Sequence, residues 1–560
     1  MNRLVRKTFE NRGVTEEFLN DINRSEHGML KDADVLCGRL KTIFDNRRHI
    51  VIIPDFDMDG IMSGTLGFAG LAELGFNVSL FIPSPSDGYG FTKATIQRLM
   101  NEYPTVEAII TCDVGISCFE GIDYAKSLGL EVLITDHHIQ EKISAADVTV
   151  DPNRMDEDYA HPGICGAYVL YQILQQYADT YCNVYMQEQI ARLRVFAGIG
   201  TVSDMMPLLY ENRQLVIEAV DICRLLFNNG NDFILNSITG CDAYRRAFYG
   251  LYITLCAFAN AGKISDSDSI DEMFFGFYLA PTFNCLKRMN KTMDNAFGIF
   301  FDAEPEHRVN NLIMWNDERK QLEQEYMKNI FSVEQPYAPY IYITSAPGGF
   351  LGLLANKLMM LSGVPTLVLN QDGNKFNGSG RSPAWYPFVE RMTAEGYGAM
   401  GHNSAFGIGF TDKRELESYR AFVEKDVTEV SAELPEEKEV YDFVIAEDGT
   451  GDTGIDIFLF ADYLQEIKKY RPFGQGFPAP KILLKFIPNE GEWKAMGSLK
   501  QHLKITLHYG FEILLWNQAP QFADKAGSSE PLYAYGSLNK SDFNDKVTIN
   551  FVGTVMSDGI

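Results

Sequence analysis

Residues 51–60 read VIIPDFDMDG, and the fold follows from how that stretch is taken. Val51, Ile52 and Ile53 form a short apolar run without polar alternation, the pattern of a strand buried on both faces of a parallel sheet. The run stops on three aspartates at alternate positions, Asp55, Asp57 and Asp59, followed by Gly60. Side chains on an extended backbone repeat every second residue, so the three carboxylates are predicted to converge on one side of the strand end. Three such charges repel one another unless cations hold them. Hard oxygen ligands suit Mg2+ or Mn2+, and the crevice beyond the carboxyl ends of parallel strands is where α/β sheets place their sites. An acidic turn of solvated carboxylates accounts for the same ten residues when they are taken alone.

Later segments separate the two readings. Ala108–Cys112 (AIITC) leads into Asp113, with Gly115 just beyond, and Leu130–Thr135 (LEVLIT) leads into Asp136, His137 and His138. Val195–Ser203 carries apolar residues and glycines up to Asp204. Each is read as an apolar segment with an acid or imidazole at its C-terminal end, and helix-like stretches lie between them. Such alternation predicts an α/β domain built on a doubly wound parallel sheet over residues 46–222. Donors recurring at segment ends favour a metal site over a solvated turn.

In this order DFDMDG, TCDVG, TDHH and TVSDMMPL resemble the motifs of the DHH phosphoesterase superfamily, named for the triplet at Asp136, His137 and His138. Their spacing is most similar to that of the RecJ-like branch, the single-strand-specific 5′ to 3′ exonucleases. The resemblance implies two divalent ions, Mn2+ or Mg2+, ligated by Asp57, Asp59, Asp113 (as the bridge), His137 and Asp204, with Asp55 beside them as a further ligand. It implies that Asp136 orients the imidazoles and that His138 faces the substrate phosphate. Two metals roughly 3.5 to 4 Å apart suit phosphodiester hydrolysis, since the charged phosphoryl oxygens must be neutralised and hydroxide supplied at neutral pH.

Further matches lie outside the sheet. Pro281–Met289, PTFNCLKRM, resembles a family segment in which Asn284 and Arg288 reach back to the active site, with Lys287 where glycine is usual. By composition alone Arg288 reads as a solvated helix position. GSGRSP, with Ser379 and Arg381, and GAMGHNSAFGIGF, with His402, are read as two loops. Exposed backbone N–H groups, a hydroxyl and a guanidinium fork there form a phosphate-binding set. The second resembles the glycine-histidine motif of the DHH-associated domain, departing at Ala399 and Met400. The loop SLFIPSPSDGYGF carries Pro85 and Ser86 where relatives have an arginine for the 5′ phosphate, which leaves the mode of 5′-end recognition open.

The 560 residues exceed one core, and the chain is divided into an N-terminal helical segment (1–45) packing on the first sheet, the α/β catalytic domain (46–222), and a helical connector (223–335). A second α/β, DHH-associated domain (336–435) and a C-terminal OB-like β-barrel (436–560) follow. Alternating strands such as KILLKF and HLKITLHY mark the last, and PFGQGFPAP resembles the family's entry into its OB-fold. Lys504, Tyr509, Trp516, Tyr533 and Tyr535 are candidates for stacking single strands or, equally, for the barrel core.

Composition bounds the rest. With 46% hydrophobic and 22% charged residues the chain is of ordinary globular character. No run of about 18 apolar residues suggests a membrane span, and the first residues lack the apolar core of a secretory signal. Nine cysteines without a CxxC pair suit reduced thiols in a cytoplasm, with neither zinc site nor disulfide framework. Net charge, 49 − 75 = −26, opposes broad nucleic-acid affinity and confines it to a narrow track with few basic groups.

The expected function is a metal-dependent single-stranded-DNA exonuclease, 5′ to 3′, releasing 5′ mononucleotides. Single-stranded DNA, a single-strand-binding protein and replication or repair proteins are the expected partners, and a monomer is the family default. The alternatives are a phosphodiesterase of short oligonucleotides or cyclic dinucleotides, a non-catalytic nucleic-acid-binding scaffold, or an enzyme that starts from an unphosphorylated end or inside a strand.

Overall fold

Local sequence explains the first elements. Helix α1 (Arg3–Arg12) starts at Asn2, whose carboxamide accepts from Leu4 N, and stops at Gly13 in the left-handed region, φ 65°. Helix α2 (Glu16–Ile22) is capped by the Thr15 hydroxyl, which accepts from Phe18 N at 3.0 Å. The computed structural model describes residues 1–555 apart from 25–27, 85–86, 89, 433, 435–440, 498–499, 501, 508–509, 517 and 544–545. Its side chains are described apart from those of 231–237, 402, 520–521, 523–524 and 541–547. Pro85, Ser86, Tyr509 and the side chain of His402 therefore lie outside the described residues.

Two compact units emerge: Met1–Glu26 with Pro207–Ile217 and Lys438–Ile560, and His27–Met206 with Glu218–Glu437. The first 26 residues thus part from the first sheet, against which the sequence placed them. The reason is the apolar stripe of α1. Leu4, Val5 and Phe9 enter one core with Phe443, Phe460 and Tyr463. At the end of α1, Arg12 forks onto the buried carboxylate of Asp442, with Nη2 at 2.6 Å, and Asp442 also accepts from Lys481 N. Asp442→Ala removes that guanidinium's counter-charge, leaving it only the carbonyls of Pro478 and Ala479, and is expected to destabilise this unit by about 3 kcal/mol, read as a lowered transition in thermal unfolding. In the same unit Arg213 donates to the carbonyls of Tyr470 and Pro472 at 2.6 and 2.7 Å, anchoring the segment that leads to PFGQGFPAP.

In the other unit, helix α3 (Ala33–Asp45) precedes the sheet formed by β1 (His49–Pro54), helix α4 (Met58–Glu73), β2 (Val78–Leu80), helix α5 (Lys93–Glu102), β3 (Val106–Cys112), helix α6 (Phe119–Ser127), β4 (Glu131–Thr135) and β5 (Val148–Val150). All its pairings are parallel, in the order β2-β1-β3-β4-β5. That is the doubly wound order, and its direction reverses between β1 and β3, so the connections after those two strands diverge and leave a crevice. Helix α4 is buried on nearly every side. Its glycines admit neighbours: a methyl at Gly67 would meet Leu170 at 2.7 Å, and one at Gly70 would meet Leu174 at 2.7 Å. Those leucines belong to helix α7 (Gly166–Tyr181), which is followed by α8 (Val184–Arg192) and α9 (Arg194–Ser203).

After helices that end with Glu306–Ser332, a second sheet comprises β6 (Ile341–Ile343), β7 (Thr366–Asp372), β8 (Lys375–Arg381), β9 (Ala399–His402) and β10 (Ala405–Phe410), in the order β6-β7-β8-β10-β9. The segments GSGRSP and GAMGHNSAFGIGF are therefore not open loops. The backbone of β8 and β10 is engaged in strand pairing on both sides and that of the edge strand β9 on one, so the phosphate-binding set rests mainly on its side chains. Glycine is required at 378 and 380 because the sheet's core side is full. A methyl at Gly380 would sit 2.2 Å from the Phe406 ring, and one at Gly378 would sit 2.0 Å from Val368 O.

Seven strands close the chain: β11 (Phe443–Ala446), β12 (Ile482–Phe486), β13 (Glu492–Met496), β14 (His502–Thr506), β15 (Glu512–Leu515), β16 (Leu532–Phe543) and β17 (Lys546–Val555). They pair in the series β11-β12-β16-β17-β15-β14-β13. Tyr533 and Tyr535 flank buried Ala534 and point away from the core, with Lys481 Nζ 4.6 Å from the Tyr535 ring. Trp516 is 52% exposed, its ring 4.8 Å from that of His502. Lys504 pairs with Glu512. Trp516 is thus a surface group, and Tyr533 and Tyr535 are half-buried on the side of the sheet away from the core. No helix among the described residues is long and apolar enough to cross a membrane.

Candidate metal centre

Asp55 follows directly on β1, its N–H reaching Cys112 O at 3.3 Å, and the chain then turns into α4. Asp57 is the N-cap and accepts from Gly60 N at 3.1 Å, and Asp59 lies in the first helical turn. The three aspartates therefore do not line one side of a strand, and they divide between two groups. Asp55 and Asp57 join Asp113, while Asp59 joins His137 and Asp204, and Asp113 with His137 and His138 links the two. Within each group one donor atom per residue lies within 4.8 Å of the others. All six ligands expected from the sequence are brought together.

Asp113 occupies the junction. Its backbone is held at φ 63°, a left-handed conformation unusual for a residue with a side chain, and its N–H bonds Thr135 O at 3.0 Å. Such strain persists where surrounding structure enforces it. The buried Asp113 Oδ1 makes no hydrogen bond among the described residues, although His137 Nε2 lies 3.1 Å away. Nε2 is also 3.5 Å from Asp204 Oδ2. Donors that converge on one point without bonding one another fit a shared cation.

Electrostatics say the same. Burial, reinforced by neighbouring carboxylates, raises Asp55 to about 7 and Asp204 to about 8 and pushes Asp113 well above the usual carboxylate range. Burial also raises Asp59, against the opposing pull of His137. Acids so placed ionise together only when positive charge joins them. Carboxylate oxygens with one imidazole nitrogen suit Mn2+ and Mg2+.

Asp204 reaches the centre from a helix. Residues 194–203, the apolar segment before it, form helix α9, and Asp204 caps its end, with N–H bonded to Gly200 O at 2.9 Å. Its apolar and glycine pattern serves close helix packing. A methyl at Gly200 would lie 2.3 Å from Asp59 Oδ1, and one at Gly166 would lie 2.5 Å from Asp113 Cβ. Gly166 N and Ala167 N, at the start of α7, donate to Asp59 at 2.7 and 3.3 Å.

Asp136 also departs from its expected task. One oxygen takes Ile116 N at 2.8 Å, and the other takes His137 N at 2.7 Å and His138 Nδ1 at 2.8 Å. It therefore orients the His138 ring but only the backbone of His137. His137 is braced through its carbonyl, which accepts from Asn153 Nδ2 at 2.6 Å. Neither Asn153 nor the pair Gly166 and Gly200 was singled out from sequence. The sequence marks VDPN (150–153) as family-like and 163–166 as a turn, and Gly200 lies in the apolar run before Asp204, none of which gives these three residues a role.

The connector reaches this centre. Asn284 Oδ1 accepts from Met58 N at 2.8 Å, inside the acidic motif. Asn284→Ala is expected to weaken Mn2+ affinity by roughly tenfold or more, as loss of such outer contacts does, measured by titration calorimetry. Arg288 is largely buried, and burial, then the charge of Arg319, lowers its pKa. The helix Gly348–Ser362 lies against it. A methyl at Gly349 would come within 2.9 Å of Arg288 Cα, and one at Gly352 within 2.9 Å of Arg381 Nη2. Ser379 and Arg381 project from the same face of β8, and position 402 pairs in register with Arg381 through Ala405.

Known proteins resemble this chain over most of its length. The profile of the DHH family, N-terminal domain, matches residues 49–199, and that of the RecJ OB domain matches residues 459–553. The chain is 25% identical over 411 residues to the single-stranded-DNA-specific exonuclease RecJ of Escherichia coli, covering 68% of this chain and 66% of that protein. It is 25% identical over 515 residues to the same-named protein of Thermus thermophilus, covering 87% and 66%. The chain thus spans about two thirds of the length of these curated relatives. The crystal structure of RecJ from Thermus thermophilus in complex with Mn2+ superposes with a TM-score of 0.72 at 19% identity, covering all of this chain and 76% of that one. An exonuclease RecJ bound to manganese gives 0.54 at 23% identity, covering 74% and 99%. At these identities the structural likeness establishes the fold.

Proposed function

We propose that this chain, a RecJ-like member of the DHH family, is a metal-dependent exonuclease that degrades single-stranded DNA from the 5′ end to 5′ mononucleotides. The observation that carries the reading is the convergence of Asp55, Asp57, Asp113 and His137 with Asp59 and Asp204 at the switch point of the first sheet. Mn2+ or Mg2+ held there supplies neutralisation of the phosphoryl oxygens and a nucleophile at neutral pH.

The protein's own groups do the remaining work. In the metal-free chain the hydrogen bond from His138 Nδ1 to Asp136 raises His138 to about 9. Its other ring nitrogen then donates to the scissile phosphate or the departing 3′ oxygen. Arg288, Ser379, Arg381 and His402 hold phosphates of the strand, and the guanidiniums, drawn out of water, bind them the more strongly. Asp136 keeps His138 aimed.

A long strand rather than a dinucleotide is favoured by the match to a RecJ OB domain and by the outward-facing Trp516, Tyr533 and Tyr535. Action as a monomer in a cytoplasm, beside single-strand-binding and repair proteins, completes the reading. Nine free cysteines accord with a reducing compartment.

The test compares long labelled single strands bearing 5′-phosphate, 5′-hydroxyl or no end at all, with Mn2+ and with chelator. Mononucleotide release from linear strands, abolished by chelation and absent on circles, is expected. Equal cutting of circles, or hydrolysis confined to dinucleotides, would replace the reading.

A further inference from the structure

Strand register places two rows of residues on one face of the second sheet. Val368, Ser379, Gly407 and Met400 pair in succession across β7, β8, β10 and β9, and Thr366, Arg381, Ala405 and position 402 form the next such row on that face. Directly paired residues project to the same side. The opposite side is core, where Leu367, Leu369, Phe406 and Ile408 pack together.

The face carrying Ser379 and Arg381 is only half covered. Over β7 and β8 lies the helix Gly348–Ser362, whose Phe350, Leu351 and Leu354 pack with Val368. Over β10 the cover ends. A methyl at Gly407 would find nothing closer than two carbonyl oxygens at 3.9 Å, and Met400 on the edge strand is 80% exposed. Ser379 and Arg381 therefore stand at the border between the helix and a flat floor of bare backbone. Two strand spacings, roughly 9.5 Å, separate Ser379 from the methionine.

We propose that this floor, walled by Met400, is the seat of a nucleobase of the strand whose phosphate Ser379 and Arg381 hold, which makes Met400 a specificity-determining residue. The proposal rests on the nuclease reading. A phosphate on a guanidinium and hydroxyl at the border sends its base across Gly407, where, among the described residues, no side chain comes within 4 Å of a methyl at that position. The thioether of Met400 then packs against the base, a contact sulfur makes well with aromatic faces. With a net charge of −26, phosphate attraction is weak overall, and base contacts must supply more of the binding.

The test uses the full chain with Mn2+ and single strands in which one abasic residue is walked from the 5′ end. Met400→Gly should raise KM roughly tenfold with kcat within about twofold, and Met400→Leu should restore it. At one abasic position the wild type should weaken to the level of Met400→Gly, with no further loss in the variant. An unchanged KM, equal abasic penalties in wild type and variant, or a changed oligomeric state in Met400→Gly would each overturn the proposal. Failure of the nuclease reading would show separately, as no hydrolysis by the wild type.

Discussion

Asp113→Asn should reduce hydrolysis of single strands by on the order of 10³-fold or more, at least about 4 kcal/mol of barrier, while the chain remains folded. Asparagine tolerates the left-handed backbone that Asp113 adopts at φ 63°, so the backbone has no new reason to move. The carboxylate itself is a burden without cations, because burial and four neighbouring aspartates disfavour its charge. Metal-free Asp113→Asn should therefore be as thermally stable as wild type or more so. Wild type should gain stability as Mn2+ is added, by mass action, and the variant should gain much less. A variant with normal turnover would remove Asp113 from the centre.

The same burial sets a pH dependence for the metal-free chain. Asp55 at about 7 and Asp204 at about 8 in the folded state exceed the ordinary carboxylate value near 4. The folded chain then binds more protons than the unfolded chain between those limits, so stability falls as pH rises from about 4 to about 8. Added Mn2+ should flatten that slope in denaturant titrations. A metal-free stability that increases over this range would contradict the site's electrostatics.

Gly166→Ala should cost about 10²-fold or more in kcat without altering any ligand. The added methyl would stand 2.5 Å from Asp113 Cβ and 2.7 Å from its Cα, so the backbone at the junction must shift, and displacements of this order near a reacting centre have that effect. Gly200→Ala drives a methyl to 2.3 Å from Asp59 Oδ1 and should chiefly weaken metal affinity. Gly38→Ala, where a methyl meets nothing within 4 Å, is the control and should leave both unchanged. Equal activity in all three variants would show that the centre is far more pliant than its packing implies.

The packing behind these predictions marks the division between what was legible and what was not. Motif order exposed the donors, because a carboxylate or imidazole ending an apolar run is a local feature. It did not expose the geometry of Asp57 and Asp59, since a strand and a helix N-terminus both present acids after apolar residues, and only tertiary contacts choose. The apolar run before Asp204 proved to be helical, and its Gly200 makes room for Asp59. GSGRSP looked like a loop because glycine usually marks one. Here the glycines make room for Phe406 and the neighbouring strand.

Residues 1–26 gave a helical signal that proved sound, and no signal of which core they would join. That depends on Arg12 meeting Asp442, 430 positions away. By itself, then, the sequence determined the parallel sheet and the succession of α/β and β-rich regions, which are written in local periodicity and residue type, while the proposed ligand set came from the resemblance of the motifs to a known family. Only the tertiary structure decided that Asp113 and His137 join two groups of donors, that Asn153, Gly166 and Gly200 hold them in place, and that Ser379, Arg381 and Met400 share one face. Those relations arise from close packing between segments far apart in the chain, where a single methyl group determines whether two elements can meet.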